Sequence, residues 1–156
     1  KHEHLGDNHD IQLASDYTDR SDFIERAGEQ VRKEMDAAIC VPVHYYEHSG
    51  AAISTSYSYP FDCPWDSGTI GFAIITKEDL RKELRVKRLT EKHTEIGKKI
   101  IENEVETLND YISGNVYGFE VITPDGECVN SCFGFYGSDI KKNGIMSYVE
   151  GEIVEK

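Results

Sequence analysis

The sequence predicts an α+β domain: an antiparallel sheet of about five strands, with two or three helices packed mainly on one face. Three observations predict it. Helical 3.6-residue periodicity is confined to a few stretches, strand-like stretches are segregated from them more than alternated with them, and short turn signals join two strand pairs. At 156 residues the chain is long enough for one core, so 1–156 reads as a single domain. Residues 1–17, polar and rich in His, Asp and Gly, read as a loose lead-in.

Each element has its own signal. From Ser21 to Met35, apolar Phe23, Ile24, Ala27, Val31 and Met35 recur near helical spacing, and Asp22 and Glu25 sit early, where the helix dipole favours acids. Ala38 to Tyr46 is β-rich but carries Pro42, which cannot donate to a ladder, so an edge or bulged strand is expected. His48-Ser49-Gly50 turns the chain, and Ala52 to Tyr57 returns as the hairpin partner. Ser58 to Gly71 is a loop with Pro60, Pro64, Gly68 and Gly71 among aromatic Tyr59, Phe61 and Trp65. Thr69 to Thr76 reads as a buried strand, and Thr76 with Asp79 opens a short helix to about Val86. A longer helix from about Thr90 repeats Ile101, Val105, Leu108 and Ile112 on one face, and Gly114 ends it. Val116–Ile122 and Cys128–Tyr136 flank the turn Pro124-Asp125-Gly126 and form a second hairpin. A short strand around Ile145 to Val149 is expected last, and a parallel βαβ unit around Gly71 to Ile122 as a minor feature.

The net charge of −12 disfavours direct nucleic-acid binding and suits either solubility or a basic partner. The segment Lys77 to Lys99 runs against this trend, with nine of the 17 basic residues and five of the 29 acidic ones. No apolar run reaches the roughly 18 residues of a membrane helix, and no signal segment opens the chain, so an intracellular location is expected. Cys40, Cys63, Cys128 and Cys132 are then expected as reduced thiols. Because the chain starts at Lys1 rather than Met, a natural N-terminal segment is expected to precede it.

The motifs that resemble chemistry are incomplete. His44-Tyr45-Tyr46-Glu47-His48 matches a zinc-protease pattern that needs a helix; on a strand the two rings stand about 13 Å apart, too far to share one zinc. Cys128 and Cys132, four apart on a strand, are separated similarly. Cys63-Pro64-Trp65-Asp66 has Asp66 where a redox loop needs its second cysteine. No glycine pattern completes a phosphate loop. Neither metal nor cofactor is expected. One enzymatic alternative survives, a small hydrolase or transferase that uses Cys63, His48 and Asp66. The outer face of the long helix carries Glu102, Glu104, Glu106 and Asp110, which read either as a solvated face or as spaced negative charges for a basic groove.

Several strings carry a resemblance: Tyr46-Glu47-His48-Ser49-Gly50, Cys63-Pro64-Trp65-Asp66-Ser67-Gly68, Ile70-Gly71-Phe72, Glu104-Val105-Glu106, Gly114-Asn115-Val116-Tyr117-Gly118 and Ser131 to Gly137. Together with Leu5-Gly6-Asp7, they resemble a family of small proteins carried by bacteriophages and other mobile elements of Firmicutes and gut bacteria. The Pro-Trp-Asp-Ser-Gly string is the most specific part. The resemblance implies a phage-linked protein acting in the cytoplasm of a bacterial host, of the kind that includes anti-defence inhibitors such as anti-CRISPR proteins. The expected function is therefore a non-enzymatic acidic inhibitor of a host nucleic-acid-directed nuclease, a type II CRISPR effector in particular. Glu102, Glu104, Glu106 and Asp110 are the expected acidic contacts, and Trp65 and Asp66 the expected contacts of the aromatic loop. A phage structural or assembly protein is a further alternative.

Overall fold

A computed structural model describes residues 6, 11–56, 60–61, 63 and 65–149. Helix α1 (Arg20–Glu34) starts where Asp19 takes the Asp22 backbone N–H at 2.9 Å, leaving Ala27 and Val31 facing inward. Strand β1 (Ala37–Glu47) pairs antiparallel with β2 (Ala51–Thr55) on one side and with β3 (Ser67–Thr76) on the other. Thr76 ends β3 and caps α2 (Lys77–Glu83) by accepting the Asp79 N–H at 3.1 Å. Helix α3 (Glu91–Ser113) follows, its entry tied by a Thr90 N–H bond to His93 Nδ1 at 3.2 Å. It stops at Gly114, whose φ of +77° a residue with a Cβ would adopt only under strain. Strands β4 (Val116–Ile122) and β5 (Cys128–Tyr136) form the second hairpin, with Gly126 N–H bonded to Thr123 O at 2.9 Å in the turn. The chain then forms α4 (Ile145–Val149).

The fold class is α+β, but the five strands make two sheets, one of order β2-β1-β3 and one of β4-β5, rather than one. β3 and β4 lie in different sheets and every pairing is antiparallel, which rules out the βαβ unit among the described residues. Pro42 sits in the central strand, not on an edge; β2 reaches only to the Val43 pair, and the register shifts between Val43 and His44, which accommodates the missing donor. The expected last strand is helix α4.

The helices also do not share one face. Ile39, Val41 and Tyr45 of β1 pack with Ile53 against Ile101 and Val105 of α3, whereas Cys40, on the opposite side of the same strand, packs with Val31 of α1. The layer order is thus α1, sheet, then α2 and α3. Each long helix meets the sheet through a glycine. A Cβ on Gly28 of α1 would stand 3.1 Å from the Phe72 ring, and one on Gly97 of α3 would stand 3.1 Å from Leu80 and 3.2 Å from Ile39. The buried aliphatic side chains at this crossing contribute about 1.5–3 kcal/mol each. Part of the lead-in is likewise ordered onto α1: Ile11 packs by Val31, Gln30 donates to Gln12 O at 2.9 Å, and Arg26 pairs with Asp16 at 2.9 Å. Residues 11–17 therefore belong to the packed unit, and the remainder of 1–17, apart from Gly6, lies outside the described residues.

Candidate partner-binding site

The aromatic loop is docked on the end of β1. Phe61 stacks on Tyr46 with ring centroids 5.4 Å apart, and Asp66 O accepts the Glu47 N–H at 2.8 Å. The Asp66 carboxylate accepts from His48 Nδ1 at 2.9 Å and from the Cys63 thiol at 3.5 Å, both on the same oxygen. Ser67 Oγ donates to Cys63 O, closing the loop on itself. These contacts hold Trp65 outward, and 92% of its surface is exposed. The rigid base beneath a projecting indole suits a contact residue.

The same geometry bears on the enzymatic alternative. A cysteine nucleophile needs a base on its thiol. Here no hydrogen bond joins Cys63 to His48, and both donate instead to Asp66. The Cys63 thiol therefore faces a carboxylate and not an imidazole base.

Among the described residues no group of three His, Cys, Asp or Glu side chains is placed to hold a metal. The zinc-like pattern instead supplies a structural residue. His44 is fully buried, with Nε2 2.7 Å from Ser56 O and Nδ1 3.0 Å from Thr69 Oγ1. Since a carbonyl only accepts, Nε2 carries the proton and Nδ1 accepts the Thr69 hydroxyl. Burial pushes its pKa below the usual imidazole range; the Ser56 bond works against this, and Arg20 adds to it. All four cysteines are free thiols, and burial pushes Cys40 upward.

The four predicted acids separate. Glu102 and Glu106 are exposed and one turn apart on α3. Glu104 points around the helix toward α2, where it lines a recess with Asp79 and Glu83. Asp110 is half-buried and structural: its carbonyl accepts the Asn115 N–H at 2.7 Å, and its carboxylate lies beside Gly137. Among the described residues no hydrogen bond or ion pair links Trp65 or Asp66 to these acids.

The sequence reading missed a third surface. Large apolar side chains stay exposed on the β4–β5 hairpin, including Ile122 and Phe133. The signal was present: from Ile100 to Ile140 there are eight acids and no Lys, Arg or His. No family model, curated protein or solved structure matches the chain. None of the helices among the described residues is long and apolar enough to cross a membrane.

Proposed function

We propose that this chain is an acidic binding protein of a phage or mobile element that inhibits a host nucleic-acid-directed nuclease in the bacterial cytoplasm, with a type II CRISPR effector as the nuclease to test first. The observation that carries the reading is the unbroken acidic run from Ile100 to Ile140 within a chain of net charge −12. Such a surface competes for the positively charged channel in which these enzymes hold nucleic acid by its backbone. The exposure of Glu102 and Glu106 and of Trp65 supports it, as does the resemblance in the Pro-Trp-Asp-Ser-Gly string.

The test is a pull-down of the tagged chain from lysate containing the effector with its guide, followed by a DNA-cleavage assay. Stoichiometric capture with loss of cleavage is expected, with binding that weakens as salt rises. Changing Glu102 and Glu106 together to Gln should weaken it severalfold, since exposed ion pairs contribute about 0.2–1 kcal/mol each. No capture and unimpaired cleavage would remove the proposal.

A further inference from the structure

We propose that the open face of the β4–β5 hairpin, with the recess beside Tyr136, docks an arginine-rich segment of the partner protein; this deepens, and rests on, the reading that the chain binds a basic protein. The pairings Val116 with Tyr136 and Gly118 with Phe133 put these residues on one face, and strand alternation adds Ile122. Phe119 and Phe135 belong to the other face, where Tyr148 of α4 meets Phe135 edge-on at 5.4 Å. Among the described residues the first face has no such cover: Phe133 is 69% exposed, and Val116, Ile122 and Tyr136 are exposed too. Phe133 is nonetheless held in place, its ring lying against Gly118 where any Cβ would collide with it.

Charge selects the occupant. Glu120 shares the aromatic face by strand alternation, and Tyr136 leads into a recess of about 440 Å³ whose lining includes Glu106 and Asp139 beside the structural Asp110. A cation already sits at its rim, where Lys142 Nζ lies 3.7 Å from Asp139. A second copy of this chain, a nucleic acid or an anionic membrane would each bring negative charge to a surface where Glu106, Glu120 and Asp139 outnumber the single cation Lys142. Arginine meets both halves of the surface, because its planar cation stacks on aromatic rings and pairs bidentately with carboxylates. Lysine, a strongly hydrated point charge, meets only the second.

The test uses the full chain and two probes. A short peptide alternating Arg with Val, its Lys counterpart and its Glu counterpart are titrated calorimetrically against wild type, Phe133→Ala and Glu106→Gln, with circular dichroism confirming that both variants fold. The Arg peptide is expected to bind, the Lys peptide more weakly and the Glu peptide not at all. Phe133→Ala should lose about tenfold in affinity and Glu106→Gln severalfold. Equal binding of the Arg peptide to wild type and Phe133→Ala, or none to either, overturns the proposal. So does a wild-type dimer by light scattering that Phe133→Ala dissociates, because the occupant is then a second copy. The guide-loaded nuclease is the second probe. Inhibition by wild type and Phe133→Ala alike overturns this surface and leaves the inhibitor reading standing; Phe133-dependent peptide binding with no nuclease binding supports the surface and removes the inhibitor reading.

Discussion

His48 and Asp66, eighteen residues apart, are joined by a 2.9 Å hydrogen bond that fastens the Trp65 loop to the end of β1. With the Cys63 thiol on the same carboxylate oxygen, Asp66 is the single clasp of three side chains. Asp66→Ala is therefore expected to free the loop while leaving the core intact. Trp65 is the only tryptophan, so its fluorescence anisotropy reports this directly and should fall. Global stability should drop by no more than about 1 kcal/mol, as expected for a partly exposed hydrogen bond. Unchanged anisotropy would show that Phe61 stacking and the bonds to the Asp66 and Cys63 carbonyls suffice to hold the loop.

Gly97 is where α3 crosses the sheet. In an open helix, Gly→Ala gains about 1 kcal/mol in propensity. Here the added methyl meets Leu80 at 3.1 Å and Ile39 at 3.2 Å, both essentially fully buried. Overpacking costs about 1–3 kcal/mol, so Gly97→Ala should be net destabilising. A urea midpoint that rises instead would show that the two layers can separate.

Asn109 reaches from α3 to the edge strand, where its Oδ1 accepts the Ile53 N–H at 2.8 Å. Ile53 is buried, so Asn109→Ala leaves that donor without its partner at a cost of about 1–3 kcal/mol. Hydrogen exchange at the Ile53 amide should accelerate more than at the β1–β3 pairings. Uniform acceleration would count against a local role.

His44 makes stability depend on pH. Its folded pKa lies below the ordinary 6.5, so between the two values the unfolded ring binds a proton that the buried ring refuses. Stability from this group is fully present above about pH 6.5 and declines as pH falls toward the folded value. Denaturation of the wild type should steepen with acid over that window, and His44→Gln should lose part of the slope. An identical slope in the variant would remove the burial argument.

Most elements were legible because their signals are local. The Thr76 cap, Gly114 and the Pro124-Asp125-Gly126 turn each set a boundary within a few residues. The layering was not read correctly, although β1 shows it: Ala37 to Tyr46 is apolar without alternation, the pattern of a strand covered on both faces. Pro42 suggested an edge or a bulge; the strand does shift register at Val43/His44, but the sequence cannot show that it is central and that β2 stops one residue short of Pro42. At the candidate site, spacing correctly placed Glu102 and Glu106 one turn apart but could not show that the Asp110 carboxylate accepts from the Asn115 amide. Cys63, Asp66 and His48 were grouped from sequence, but the order of their bonds, with the acid in the middle, exists only in three dimensions.

Helix α3 carries its three lysines in the first nine residues and only acids beyond Lys99, with no basic residue in the last turn. This arrangement is the reverse of what the peptide dipole favours, and it adds to that dipole instead of cancelling it. A molecule so polarised would turn in the field of a basic partner before contact and arrive hairpin-end first. Its association rate, more than its lifetime once bound, would then register each acid removed from the far half of the helix.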